Sequence, residues 1–119
     1  RLPWLFKRND GQPLLFAGLW DSWTDANDDL TIVSCSVITT TPNSMLGRIH
    51  DRMPVLLDET TAAEWLDPKI DEPTRLITSF PTERLSETAL DTYVNSSRHE
   101  GPACLTPRGE APGSQFDLF

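Results

Sequence analysis

Short apolar runs separated by turn residues set the pattern of this chain. Residues 3–6 and 13–20 are two such runs, and the Asp10-Gly11 dipeptide between them is typical of tight hairpin turns. This arrangement predicts two strands joined by one turn. Residues 30–39 are rich in β-branched side chains and predict a third strand.

Shorter elements are expected in the rest of the chain. They are a strand at 53–57, a helix at 58–66, an irregular segment or short helix at 40–48, a short helix at 73–79, and a last strand at 89–95. The helix has two alternative caps: Thr61 and Glu64 have capping-box spacing, and Asp58 is equally suited. Asn43 and Thr41 are candidate caps for the turn within 40–48. The sequence therefore predicts an α+β fold dominated by strands.

Composition narrows the class of protein. A formal net charge of −8 argues against non-specific nucleic-acid binding through a broadly basic surface, but it leaves room for a local basic groove. Cys35 and Cys104 are too few for a disulfide scaffold, and no Cys/His cluster has metal-ligand spacing. Cys35 lies inside a predicted strand and is expected to be a buried, unreactive thiol. We expect no metal and no other cofactor.

Length and hydropathy set further expectations. The 119 residues fit one domain with a modest core. No apolar run reaches the roughly 18 residues of a membrane span, so we expect a cytoplasmic protein without a membrane partner. The chain opens on Arg1 rather than methionine, which suggests part of a longer polypeptide.

Candidate chemistry is concentrated in residues 49–54. His50 is a candidate general acid or base, because an ordinary imidazole titrates near neutrality, and Asp51 is placed to orient it. In an extended segment Arg52 would point to the same side as His50, and a guanidinium suits a phosphate or carboxylate ligand. The alternatives are a structural histidine at a strand start and a surface salt bridge.

Two other polar positions are weaker candidates. Thr39, at the end of the third predicted strand, is followed by two more threonines that can hydrogen-bond a ligand, or the run is an ordinary strand end. Asp21 is a candidate site carboxylate, or a turn residue at a strand end.

The C-terminal residues differ in composition from the rest. Residues 109–114 are rich in Gly, Pro, Ala and Ser and predict a linker. The chain then ends in Gln115, Phe116, Asp117, Leu118 and Phe119, a spacing that suits a short linear motif docking into a pocket. The alternative is a tail with chance hydrophobic residues.

Several of these motifs, in this order and spacing, resemble the SRAP (SOS-response-associated peptidase) family. They are Phe16-Ala17-Gly18-Leu19-Trp20, Ile38-Thr39-Thr40, Ile49-His50-Asp51-Arg52-Met53-Pro54-Val55, Glu64-Trp65-Leu66-Asp67-Pro68, Val94-Asn95 and Gly101-Pro102. The resemblance implies that residues 1–108 form the C-terminal part of an SRAP-like domain, a curved or barrel-like mixed sheet with short flanking helices that is incomplete here.

The resemblance also implies a chemistry. SRAP proteins recognise abasic sites in single-stranded DNA and form a thiazolidine DNA–protein crosslink through an N-terminal cysteine, exposed when the initiator methionine is removed. Peptidase and lyase activities are associated with the same site. By its match to the family motif, His50 is expected to assist sugar-ring opening and proton transfer. Arg52 matches an arginine that contacts DNA phosphate, and Thr39 matches a threonine that lines the DNA site.

This chain departs from the family pattern at its start. The family's cysteine and site asparagine belong to segments that precede Arg1, and its catalytic glutamate precedes the strand that begins near Pro3. Asp21 lies in a second acidic motif and is not equated with that glutamate. We therefore expect this chain alone to form no crosslink, because upstream residues are missing. The alternative is a non-catalytic remnant that docks on DNA or on a sliding clamp.

Residues 115–119 resemble the bacterial sliding-clamp-binding pentapeptide, Gln-Leu-Ser/Asp-Leu-Phe. Phe116 departs at the second position, where leucine is usual. The resemblance implies that Gln115, Phe116, Leu118 and Phe119 contact the clamp, which in a bacterium would place the protein at replication forks on the nucleoid. The expected partners are thus single-stranded DNA with abasic sites and a sliding clamp.

Overall fold

The computed structural model describes residues 1–112, which belong to two compact units. One unit contains residues 1–13 and those from 83 onward, and the other contains residues 14–82. The strands are β1 (Trp4–Arg8), β2 (Leu15–Phe16), β3 (Gly18–Thr24), β4 (Thr31–Val37), β5 (Thr39–Thr40), β6 (Met53–Pro54), β7 (Leu56–Leu57) and β8 (Leu85–Ala89). The helix α1 spans Glu59–Trp65, and short 3₁₀ helices lie at Leu46–Arg48, Pro73–Leu76, Thr82–Arg84, Thr92–Asn95 and Pro102–Leu105. Within residues 1–112, no helix has the length and apolar character needed to cross a bilayer.

In the first unit, β1 pairs antiparallel with β8, so the predicted hairpin between residues 3–6 and 13–20 is wrong. The turn at Asp10-Gly11 does form, since the Gly11 amide donates to the Arg8 carbonyl at 3.2 Å and Gly11 has a φ of 76°. Arg8 is only 3% exposed, and its guanidinium donates to Asp10 and to the carbonyl of Pro13. These contacts fix the chain after β1 in a path that leaves β1 free to pair with β8.

The strand predicted at 89–95 is also wrong. The last strand, β8, ends at Ala89, and Thr92–Asn95 is a 3₁₀ helix. The Asp91 carboxylate accepts a hydrogen bond from the Tyr93 amide at 2.8 Å. An aspartate that bonds the backbone two residues later favours a turn over a strand.

In the second unit, the long strand pair β3–β4 separates at one end and a third segment enters between its strands. β3 and β4 are antiparallel over seven residue pairs, from Gly18 opposite Val37 to Thr24 opposite Thr31. Beyond that end, β7 pairs with β2 and β6 pairs with β5. Three backbone hydrogen bonds, each between 2.8 and 2.9 Å, join Ala17, Ile38 and Val55 at the point of separation. The strands predicted at 30–39 and 53–57 are thus confirmed, each interrupted at this junction.

The core of the second unit lies beside this junction. Ala17, Val55, Leu57 and Leu76 are buried together, and α1 packs against them through Ala62 and Trp65. Asp58 caps α1 in a capping box with Thr61, so of the two alternatives Asp58 is the cap. The Trp65 indole donates to the carbonyl of Gly18 at 3.0 Å, which ties the helix to the start of β3.

The strand-dominated α+β class is confirmed. Within residues 1–112 the strand pairs are antiparallel and open, and none closes into a barrel. The residues predicted to bind a clamp, Gln115, Phe116, Leu118 and Phe119, lie outside the described residues.

Candidate functional site

The candidate site forms where β5 meets the segment that leads into β6. The antiparallel register places Thr39 opposite Pro54 and Thr40 opposite Met53. Residues 50–52, which immediately precede β6, therefore lie next to the end of β5. The 3₁₀ helix Leu46–Arg48 fixes the start of this segment, because the His50 amide donates to the Leu46 carbonyl at 3.0 Å.

Arg52 is held by Thr39 through three contacts. Its Nη2 atom donates to the Thr39 carbonyl at 2.7 Å and to the Thr39 hydroxyl at 3.0 Å, and its Nε atom lies 3.2 Å from that hydroxyl. A guanidinium carries five N–H groups, and those on Nη1 have no acceptor among residues 1–112. Because Arg52 is exposed, Nη1 is oriented and still available to an anion.

Two groups compete for one ring nitrogen of His50. The Arg52 backbone amide donates to Nδ1 at 3.0 Å, and Asp51 Oδ1 lies 3.0 Å from the same atom. An amide can only donate and a carboxylate can only accept, so Nδ1 serves one of them in each protonation state. When Nδ1 accepts from the amide, the ring proton lies on Nε2. When Nδ1 carries a proton, it donates to Asp51.

The other ring nitrogen, Nε2, is open to solvent. The His50 side chain is 60% exposed, and Nε2 has no hydrogen-bond partner among the described residues. Asp51 is 90% exposed, so it acts on His50 from the solvent side. The site thus contains an exposed imidazole and, two residues later, a guanidinium oriented by Thr39. We call His50, Arg52 and Thr39 the histidine cluster.

The histidine cluster forms differently from the extended strand that the sequence suggested. Residues 50–52 bend before β6 begins at Met53. The hydrogen bond from the Arg52 amide to the His50 ring closes this bend, and it resembles the turns that aspartate and asparagine make with the backbone two residues on.

Two further sequence expectations have different outcomes. Asp21 lies in β3, where its Oδ1 accepts from the Ser22 amide at 2.8 Å, and no contact joins it to the histidine cluster among the described residues. Cys35 was expected to be buried, and that expectation is wrong because Cys35 is exposed on β4. The reason is that β3 and β4 form a two-stranded sheet without a covering layer within residues 1–112.

Asn43 positions the site, although its sequence context suggested only a helix cap. Its Oδ1 accepts from the Leu46 amide at 3.0 Å, as a cap would. Its Nδ2 also donates to the Phe80 carbonyl at 2.6 Å, and the Ser79 hydroxyl donates to the Thr41 carbonyl. The Pro42-Asn43 pair signals a turn, but the contact with a residue 37 positions later has no sequence signal.

Outside the histidine cluster, the ion pair of Arg8 and Asp10 shifts the pKa of a carboxyl group. The Arg8 guanidinium holds the pKa of the Asp10 carboxyl below its usual range, and the Gln12 amide acts in the same direction. In the described part of the chain, no three or more His, Cys, Asp or Glu side chains are grouped so that they could hold a metal ion.

Comparison with known proteins identifies the family and several relatives. Residues 1–97 match the family described as SOS response associated peptidase (SRAP). Abasic site processing protein YoqW of Bacillus subtilis is 30% identical over 108 residues, which cover 88% of this chain and 48% of that protein. Abasic site processing protein HMCES of Xenopus tropicalis is 37% identical over 99 residues, covering 81% of this chain and 30% of that protein.

Solved structures share the fold. An X-ray structure of a protein from Bacteroides thetaiotaomicron has a TM-score of 0.76 at 22% identity, covering 88% of this chain and 48% of the other. One from Bordetella bronchiseptica has a TM-score of 0.65 at 28% identity, covering 76% and 46%. The chain thus spans about half the length of its Bacillus relative and of both solved structures.

Proposed function

Because this chain belongs to the SRAP family, we propose that it supplies the histidine-bearing part of a site that recognises and processes abasic sites in single-stranded DNA. The observation that carries the proposal is the histidine cluster, in which Thr39 fixes the Arg52 guanidinium and the Arg52 backbone amide bonds the exposed His50 ring. Relatives named abasic site processing proteins support the choice of substrate.

Each member of the cluster has a distinct role in this proposal. Arg52 directs Nη1 at a phosphate of the strand, and Thr39 holds the guanidinium in the required plane. His50 uses Nε2 for proton transfer at the deoxyribose as its ring opens to the aldehyde. Asp51 stabilises the protonated ring through Nδ1.

The covalent step requires a partner segment. The family's N-terminal cysteine would add its amine and thiol to the aldehyde, giving a thiazolidine and releasing one water. The same segment accounts for the proposed removal of the initiator methionine. This chain contributes proton transfer and phosphate binding to that reaction, and by itself it forms no crosslink.

The acidic composition is compatible with this role. The net charge of −8 disfavours a broad electrostatic surface for duplex DNA. Single strands are bound by a narrower set of basic groups and aromatic surfaces. Binding through Arg52 alone would be weak and sensitive to salt, so lesion specificity has to come from the open sugar and the missing base.

The first test uses this chain without any covalent chemistry. Fluorescence anisotropy would compare a short single-stranded oligonucleotide carrying a tetrahydrofuran abasic analogue with the same strand intact. We expect tighter binding to the abasic strand, because its base is missing, and weaker binding to both strands in Arg52→Ala, because both carry the phosphate. The matched control is Arg98→Ala, which removes the same charge from an exposed position in the other unit.

The second test restores the covalent step. In a chimera, the N-terminal half of YoqW precedes Arg1, and the product is denatured after incubation with abasic single-stranded DNA. A denaturation-resistant adduct that depends on His50 supports the proposal. A non-catalytic docking domain would instead be supported by three results together: equal affinity for the abasic and intact strands, no effect of Arg52→Ala, and no adduct from the chimera.

A sliding clamp is proposed as a second partner through residues 115–119. The support is the sequence pattern of Gln115, Phe116, Leu118 and Phe119. Deleting these five residues should abolish binding to a bacterial clamp and leave the abasic-strand preference intact. Unchanged clamp affinity after the deletion would contradict this role.

A further inference from the structure

The two histidines of the chain are bonded through Nδ1 to backbone groups of opposite kind. His50 Nδ1 lies 3.0 Å from the Arg52 amide nitrogen, and His99 Nδ1 lies 2.7 Å from the Tyr93 carbonyl oxygen. An amide can only donate and a carbonyl can only accept. A neutral His50 ring bonded in this way carries its proton on Nε2, whereas a neutral His99 ring carries its proton on Nδ1.

The tautomer decides what Nε2 of His50 can do. When the proton is on Nε2, that nitrogen has no lone pair with which to accept another. It is also a very weak acid, because loss of the only proton of a neutral ring would leave an imidazolate anion. Nε2 acts as a base when the neutral ring is protonated on Nδ1, and as an acid when both nitrogens are protonated. Both useful states of the ring therefore require a proton on Nδ1.

A proton on Nδ1 removes the bond from the Arg52 amide and needs an acceptor. Asp51 Oδ1 lies 3.0 Å from Nδ1 and can accept this proton. The charged residues closest in sequence to the ring are Asp51, Arg52 and Arg48, and β5 and β6 carry no ionisable side chain. The Asp51 carboxylate is thus the group that favours the Nδ1-protonated ring, and the Arg52 amide is the group that opposes it.

We infer that the Arg52 amide holds His50 in a resting tautomer, and that Asp51 is the positioning residue that brings the ring into its active one. The catalytic consequence rests on the function proposed for His50, whereas the tautomer is a property of the free chain. In the exchange, a solvent proton binds Nδ1 and the Nε2 proton leaves to solvent, so the neutral ring stays neutral. The His50 side chain is 60% exposed, so water reaches the ring to carry these protons.

The exchange leaves the grip on the Arg52 side chain intact. Thr39 contacts Nε and Nη2 of the guanidinium, whereas the His50 ring is bonded to the backbone amide. Protonation of Nδ1 therefore frees the Arg52 amide to water without removing a contact to Thr39. The inference thus predicts that the His50 tautomer can change while phosphate binding by Arg52 stays the same.

The first experiment reads both tautomers in the unmodified chain. The 119-residue chain is labelled with ¹⁵N-histidine, and long-range proton–nitrogen correlation spectra are recorded at about pH 8.5, above the range in which an ordinary imidazole is charged. His99→Gln assigns the two sets of signals. We expect the proton on Nε2 in His50 and on Nδ1 in His99, so His99 is a control within the same sample. A His50 ring protonated mainly on Nδ1, like His99, would overturn the inference.

Variants at Asp51 test the acceptor. The averaged shifts of the two ring nitrogens give the tautomer ratio of His50. Asp51→Ala should lower the Nδ1-protonated fraction by about two- to tenfold, the range for loss of one hydrogen bond. Asp51→Asn should have a smaller effect, because its amide oxygen can still accept. Asp71→Ala removes the same charge from another exposed residue of the unit and should leave the ratio unchanged.

The YoqW chimera tests the catalytic consequence. Asp51→Ala should slow adduct formation by about two- to tenfold and leave Kd for the abasic strand unchanged, because Thr39 still holds the guanidinium. Asp51→Asn should recover part of the rate, and Asp71→Ala should keep all of it. An adduct that depends on His50 but forms equally fast in Asp51→Ala would overturn the role of Asp51.

Failure of the proposed function would look different. A chimera that forms no adduct with any variant would contradict the proposed chemistry, and the nitrogen spectra of the chain alone would then decide the inference. The His50 proton on Nε2, with a ratio that responds to Asp51→Ala, would support it. A tautomer ratio that is the same with and without the Asp51 carboxylate would overturn it.

Discussion

The Arg52 guanidinium donates to both the carbonyl and the hydroxyl of Thr39, at 2.7 and 3.0 Å from Nη2. These residues are 13 positions apart, and the pairing of β5 with β6 brings them together. The Nε and Nη2 side of the guanidinium is thereby bound to Thr39, and the Nη1 side is left for a ligand. The threonine thus determines the orientation of the arginine's free Nη1 atom.

Replacing Arg52 with lysine should cost most of its contribution to binding. An ammonium is a compact charge on a flexible stem and cannot make the three Thr39 contacts while it faces a phosphate. Loss of a charge-assisted hydrogen bond costs about 1.5–3 kcal/mol, so we expect about a tenfold or greater rise in Kd for abasic single-stranded DNA in anisotropy titrations. Arg98→Lys is the control and should leave Kd unchanged. Equal effects of the two variants would contradict the assigned role.

Thr39→Val should have a smaller effect than any change at Arg52. Valine removes the hydroxyl acceptor but keeps the β-branched shape and the carbonyl that accepts the shortest bond, at 2.7 Å. We expect Kd to rise by a few-fold, in line with the loss of one hydrogen bond of about 0.5–1.5 kcal/mol. Thr39→Ser keeps the hydroxyl and should bind like the unmodified chain. A valine variant weaker than Arg52→Lys would argue against this order of contributions.

His50→Gln should separate chemistry from binding. Glutamine is a hydrogen-bonding side chain of similar size without a group that titrates near neutrality. In the YoqW chimera, we expect the adduct to form about 10²-fold more slowly, at the low end of the range for general acid–base catalysis, while Kd stays within twofold. His99→Gln is the matched control, because His99 stacks on Tyr93 in the other unit. A His50 variant that lowers affinity but not rate would make the histidine a binding residue.

Asp10 should give the first unit a pH-dependent stability in acid. Its pKa is held below the usual range by Arg8, so the ionised carboxylate stabilises the folded chain above the unfolded pKa of about 3.9. That contribution is lost as the pH falls through the lower, folded pKa. Asp10→Asn should therefore lower Tm at pH 6 and converge with the unmodified chain as the pH falls through the lowered pKa of Asp10. Asp71→Asn removes a charge from an exposed residue of the other unit and serves as the charge control.

The sequence predicted local structure better than strand pairing. The β-branched run at 30–39, the strand at 53–57 and the helix after Asp58 all form, because composition and capping are encoded within a few neighbouring residues. The hairpin predicted around Asp10-Gly11 was wrong because strand pairing also depends on residues far away in the sequence. The partner of β1 is β8, about 80 residues away in the chain, and a turn signal cannot name a distant partner.

In the candidate site, too, the sequence identified the residues but not all of their contacts. Residue type and family motif singled out His50, Arg52 and Thr39, and the structure joins them through hydrogen bonds. The sequence did not predict the bend at Asp51 or the bond between Asn43 and the Phe80 carbonyl. The exposure of Cys35 was missed for a physical reason: an apolar strand is buried only if something covers it, and no covering layer lies within residues 1–112.

Gly18 should be intolerant of a methyl group because β4 passes close to it. A Cβ at this position would lie 3.0 Å from the Ser36 carbonyl oxygen, which is backbone and cannot move aside without disturbing the strand. We expect Gly18→Ala to reduce the free energy of unfolding by about 1–3 kcal/mol, as overpacking does. Gly47→Ala is the contrasting variant, since its Cβ would make an ordinary contact at 3.7 Å with Pro42. There the reduced freedom of the unfolded chain should add about 0.4–1 kcal/mol. Urea titration of both variants measures the two free energies of unfolding. If Gly47→Ala were destabilised and Gly18→Ala were not, the close approach of β4 to Gly18 would not determine which residue is tolerated there.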